Sequence, residues 1–271
     1  MDFRPDSNLV QEHRSWLDAF ATQHVRNWEK LLEAGSEAAM CEAAVRRLLQ
    51  ENGNKVIPNE DLSGSIQTPD FRCVQKGKEF FVEVTCISIE IAVEKTLLPS
   101  SPHGATRDYH LNLNRAIFRA VTAKTRQCSR LNAPAIVVVG TFHSKASRIC
   151  FGKEHLQMLL TGQELITQDI NTATGEPVND LYLSTQLCWA TFLRPDESGG
   201  MGYARNPVSA LVICGFGCKL PEIRGLLHPT PVHVFDPALL SAVEFCRLRA
   251  GYESGQLSTE WVNEVETEKG H

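Results

Sequence analysis

The run Pro134-Ala-Ile-Val-Val-Val-Gly-Thr-Phe142 constrains this chain more than any other segment. Its β-branched residues favour a strand, and an apolar run without polar alternation has no face to turn to water. Such a strand belongs in the middle of a sheet covered on both sides, which calls for helices above and below it. Helical periodicities on either side supply them. Residues 9–33 carry Trp16, Leu17, Phe20, Val25, Trp28 and Leu31 at spacings of three and four, which predicts one amphipathic helix. Ser36, followed by Glu37, starts a second helix that runs to Asn52-Gly53. A long pattern over 107–130 predicts a third, residues 153–166 a shorter one, and Pro237 opens a last helix over 237–250. Further strands are expected near 70–75, 79–87, 186–193 and 207–216. The whole reads as an α/β chain: a helical extension over 1–35, one domain over 36–253, and an acidic tail over 254–271 expected to fray.

Composition excludes several classes. With 42% apolar and 22% charged residues the chain can bury a core. No apolar run approaches the roughly 20 residues of a spanning helix, and the first residues lack a secretory pattern, so a membrane partner is not expected and a cytoplasmic location is. A net charge of −5 argues against coating nucleic acid by bulk charge, though a local basic groove is compatible with it. Nine cysteines, an odd number, fit a reducing compartment. Cys214 and Cys218, with His228 and His233, lack the second paired spacing of a zinc site.

The chemistry concentrates in Thr68–Thr85. With Lys76-Gly77 as a two-residue hairpin loop, opposed residues sum to 153, and Asp70 and Glu83 obey that sum. This register places two carboxylates across adjacent strands, Cβ atoms about 5 Å apart, where like charges destabilise unless a cation lies between them. The second strand is strongly apolar (Phe80, Phe81, Val82, Val84, Ile87), so an acid inside it needs a partner; an exposed hairpin would instead leave both acids in water. Glu42 shares a helix face with Val45 and Leu49. On the third helix Lys124 falls four residues after Ala120 and three after Val121, within the buried stripe, with Gln127 on its flank. A lysine there either snorkels to water or meets a buried acid. Arg115 and Arg119, one turn apart, are candidate phosphate contacts, with a solvated arginine face as the alternative.

In the order helix-borne Glu42, Pro69-Asp70, Glu83-Val84-Thr85, then Lys124 and Gln127, residues 36–142 resemble the PD-(D/E)xK nuclease superfamily. The resemblance implies a restriction-endonuclease-like fold, a central mixed sheet flanked by helices, and Mg²⁺-dependent (or Mn²⁺-dependent) hydrolysis of phosphodiester bonds, usually in DNA. It implies Asp70, Glu83 and the carbonyl of Val84 as metal ligands, Glu42 acting through metal-bound water, and Thr85 and Gln127 lining the site. Here the sequence departs from the pattern: Thr85 stands where the superfamily has its lysine, and Lys124 is the candidate replacement. A homodimer would suit cutting of both strands. The departure also fits a non-catalytic domain of the same fold that binds nucleic acid or a protein partner.

Overall fold

The computed structural model describes residues 3–62, 67–96, 109–149, 152–187, 189–197, 200–219, 221–249 and 257–262. Three helices open the chain, α1 (Ser7–Asp18), α2 (Thr22–Ala34) and α3 (Ser36–Glu51). They are followed by β1 (Lys55–Pro58), β2 (Phe71–Gln75), β3 (Lys78–Cys86), α4 (Ile89–Thr96), α5 (Tyr109–Cys128) and β4 (Ala135–Thr141). Next come α6 (Ser144–Ile149), α7 (Lys153–Thr161), β5 (Gln163–Thr167), β6 (Tyr182–Gln186), β7 (Leu193–Pro195) and β8 (Met201–Tyr203). The chain closes with β9 (Ala210–Gly215), β10 (Glu222–Leu227), a 3₁₀ turn (Pro237–Leu240), β11 (Glu244–Leu248) and β12 (Thr259–Val262).

Among the described residues eight strands form one mixed sheet in the order β1-β2-β3-β4-β9-β10-β11-β12, and two small hairpins, β5–β6 and β7–β8, stand apart from it. The expectation of an α/β chain with a helix-flanked mixed sheet is met. β4 is buried along its whole length and lies parallel to both β3 and β9, as its unbroken apolar run requires. On one face Cys41, Val45 and Leu49 of α3 pack against Val82, Val84, Ile136, Val138 and Val212. On the other, Leu113, Ile117 and Val121 of α5 with Leu156 and Leu159 of α7 cover Val137, Val139, Leu211 and Ile213.

Packing is closest where α3 crosses β4. A Cβ built on Gly140 would overlap Cys41 Sγ, far inside the contact distance of a carbon and a sulfur. Gly140→Ala therefore forces α3 off the sheet, and a destabilisation of about 1–3 kcal/mol is expected, read as a lower urea midpoint.

Four element assignments differ from expectation. Residues 9–33 form two helices, because Ala21 is extended (φ −163°, ψ 136°) and breaks the helix there. The helix from 153 ends at Thr161, since Gly162 turns left-handed (φ +86°), and Gln163–Thr167 pairs with β6 instead. The strand expected over 186–193 straddles the end of β6 and the start of β7. The last helix shrinks to Pro237–Leu240, because Glu244–Leu248 finds strand partners on both sides, β10 and β12. The tail also departs from the frayed reading, since Thr259–Val262 pairs along the edge of the sheet; residues 263–271 lie outside those described.

Candidate active site

The hairpin keeps the expected register. Lys76 and Gly77 have φ of +50° and +74°, the left-handed pair of a type I′ turn, and Phe71 opposes Val82 while Gln75 opposes Lys78. By the same count Pro69 stands opposite Val84, and a proline offers no N–H to a ladder. The ladder ends there, and the Asp70 carboxylate takes over: its Oδ2 accepts the Val84 N–H at 2.6 Å. Phe81 and Ile87 send their N–H groups to Pro134 and Gly140 on the β4 side. Backbone direction alternates along a strand, so the Val84 carbonyl points the other way, toward Asp70.

Glu83 is 2% exposed in the middle of β3, on the face covered by α5. Its Oε1 lies 2.5 Å from Lys124 Nζ, while its Oε2 is buried without a hydrogen-bond partner. Lys124 thus meets a buried acid rather than snorkelling. Burial raises the Glu83 pKa, and the opposing pull of Lys124 and the Gln127 side chain does not cancel it. Burial works against the Lys124 ammonium as well, but the facing Glu83 outweighs it and keeps the lysine charged.

Glu42 and Asp70 complete the cluster. Burial, then the charges of Asp70 and Glu83, push the Glu42 carboxyl well up. Burial, then Glu83, lift Asp70 to about 8, against the lowering hydrogen bond from Val84. Three carboxylates thus share one ammonium. Among the described residues no three His, Cys, Asp or Glu side chains converge into a ready-made metal cage. A Mg²⁺ ion seldom uses one; it takes one or two carboxylates and keeps several waters. The donors here fit such a hard cation: Asp70, the unpartnered Glu83 oxygen and the Val84 carbonyl, all oxygen.

The other expected residues lie to one side. Thr85 is two residues past Glu83 and opens, with Arg115 and Arg119, a second cleft of about 500 Å³. The four residues whose spacing argued against zinc are also apart in space. Cys214 is buried in β9, Cys218 Sγ faces the Ser144 carbonyl, and His228 and His233 bond to the carbonyls of Ala204 and Leu131. His143 Nδ1 accepts the Ala146 N–H and caps α6.

One wall of the site was not foreseen. α1 and α2 stand before Glu42 and Asp70 and enclose with them a cavity of about 290 Å³ lined by His13, His24, Trp28 and Glu60. His24 Nδ1 lies 3.3 Å from Glu60 Oε2, and Asn27 donates to Glu60 Oε1 at 2.7 Å. His13 is wedged between Trp16 and Trp28, and burial drives its pKa down to about 3. The polar residues His13, His24 and Asn27, set among the apolar positions of this segment, were the available signal. No family model matches the chain, and neither a curated protein nor a solved structure shows significant similarity to it.

Proposed function

We propose that the chain is a Mg²⁺-dependent nuclease of the PD-(D/E)xK type that hydrolyses phosphodiester bonds, foremost in DNA. The observation that supports this most is Glu83, a strand-borne carboxylate with one oxygen on Lys124 and the other buried and unpaired, next to Asp70. Asp70, Glu83 and the Val84 carbonyl would hold the ion. When bound, Mg²⁺ neutralises charge on the phosphate and lowers the pKa of the attacking water.

The chain's own residues supply the rest. Lys124, kept charged by Glu83, offers a fixed cation where negative charge develops on the phosphate. It replaces the lysine missing at Thr85 and comes from α5 rather than from the strand. Glu42 accepts a hydrogen bond from water at the carboxylate cluster, Gln127 lines the site beside Glu83, and Thr85 lines the adjoining cleft. Arg115 and Arg119 contact flanking phosphates. Among the described residues no helix is long and apolar enough to cross a membrane.

The deciding experiment is cleavage of plasmid, linear duplex and single-stranded DNA in Mg²⁺, Mn²⁺ or EDTA. Cutting that needs the metal supports the reading, and no cutting by a folded protein defeats it. A thermal shift distinguishes an empty relic from a working site. Mg²⁺ is expected to raise the melting temperature, following RT ln(1 + [L]/Kd), because it binds only the folded carboxylate cluster. A flat response up to millimolar Mg²⁺ would favour the non-catalytic domain instead.

A further inference from the structure

The 20 residues of α5 contain no Asp or Glu in a chain of net charge −5. At 100° per residue, Arg115, Arg119 and Arg126 fall on one outward stripe about 16 Å long, and Arg130 follows in the turn after the helix. All four are exposed, and none has an acidic partner among the described residues. Elsewhere among the described residues six arginines are ion-paired, as in Arg46–Glu12, Arg72–Glu79 and Arg247–Glu260. An unneutralised row at this spacing attracts a polyanion rather than a single ion.

Two further features select the form of that polyanion. Arg115 lies over the Trp189 ring, 5.4 Å from its centroid, and Trp189 meets Phe118 edge-on at 5.6 Å. Planar groups at the rim of a basic row are the means by which unpaired bases are held. The second is access: the cleft at Thr85 holds about 500 Å³, equivalent to a cube about 8 Å on edge. Thr85, Arg115 and Arg119 line it together, so a strand lying on the arginine row reaches the residue two positions past Glu83.

We propose that the outer face of α5 receives a single, unpaired DNA strand, its phosphates on Arg115, Arg119, Arg126 and Arg130 and its bases against the Arg115–Trp189 stack. The proposal rests on the nuclease reading for its direction, since the row leads through Arg119 to the cleft beside Thr85. It names the substrate class of that site.

The test is fluorescence anisotropy of labelled (dT)₂₀ and of a 20-base-pair duplex, titrated in EDTA over a range of salt. Binding of (dT)₂₀ at least about tenfold tighter than duplex is expected, with log K falling against log[salt] at a slope of about −3 for four phosphates at 0.7 each. Arg126→Gln with Arg130→Gln, both exposed and remote from the carboxylates, should flatten that slope by about 1.4. Trp189→Ala should weaken (dT)₂₀ binding by about fivefold or more without changing the slope. Duplex binding as tight as (dT)₂₀, a wild-type slope in the double variant, unchanged binding in Trp189→Ala, or no binding by the folded protein would each overturn the proposal. EDTA separates the two readings. Strand binding without any cutting in Mg²⁺ removes the nuclease and leaves the platform, while cutting with indifference between strand and duplex does the reverse.

Discussion

Glu83→Gln is expected to leave the chain folded and to lower Mg²⁺-dependent cleavage by roughly a thousandfold or more. The amide matches the carboxylate in size, so β3 keeps its packing against α5, and its oxygen can still accept from Lys124. What goes is the charge, and two functions go with it. On the proposed reading the cation would lose an anionic ligand, and Lys124 loses the partner that keeps its pKa up against burial. Folding is checked by circular dichroism and by melting. Because Lys124 then keeps a half-buried ammonium without its anionic partner, the variant should melt somewhat below wild type while its circular dichroism spectrum stays that of the folded chain. A variant that cuts at the wild-type rate would remove Glu83 from the mechanism.

Asp70→Asn should trade activity for stability. The Asp70 carboxyl is raised from 3.8 to about 8 by burial and by Glu83. A group whose folded pKa lies above its unfolded value contributes stability fully below the unfolded pKa and loses it as pH rises through the folded one. The metal-free protein is therefore expected to lose stability between about pH 4 and pH 8. Asn still accepts the Val84 N–H but carries no charge, so the variant's profile over this window should be flatter. At pH 8 in EDTA it should melt above wild type, by about 2–4 °C for each kcal/mol of repulsion removed. The same variant should lose both the Mg²⁺-induced rise in melting temperature and cleavage. A variant that melts below wild type at pH 8 would show that Asp70 is there for structure. Differential scanning calorimetry across pH 4–8, with EDTA and with Mg²⁺, reads the stability changes, and the plasmid assay reads cleavage.

The juxtaposition of Asp70, Glu83 and Lys124 was legible because it rests on local rules. A two-residue turn fixes an index sum, and an acid in an apolar strand or a lysine in an apolar stripe stands out against its neighbours. Asp70 and Glu83 followed from the turn, and Lys124 from the stripe. The detail that Asp70 reaches the Val84 N–H came from the end of the ladder at Pro69, which periodicity does not reveal. The α1–α2 wall escaped because where two helices dock depends on contacts such as Trp28 Nε1–H to the Ala39 carbonyl, not on their own patterns. The C-terminal segment misled for a related reason. Ala238, Leu239, Leu240 and Val243 carry helical spacing, but Phe245 and Cys246 gain strand partners on both sides, and tertiary pairing overrides propensity.

The parallel ladders around β4 have a consequence for how the molecule is made. Ile136 pairs with Ala210, and Val139 with Ile213, across some seventy residues of chain. As the polypeptide emerges, Glu42, Asp70, Glu83 and Lys124 are all present long before β9, yet β4 has a bare flank until β9 arrives. Contacts so far apart in sequence close slowly, since the intervening loop must be ordered first. For that interval the mutually repelling acids are held by half a sheet, and an intermediate ending near residue 142 would offer the apolar edge of β4 to any passing strand. Folding of this chain is thus expected to be slow and sensitive to acid-neutralising cations, with the second half of the sequence acting as the clasp on a site encoded in the first.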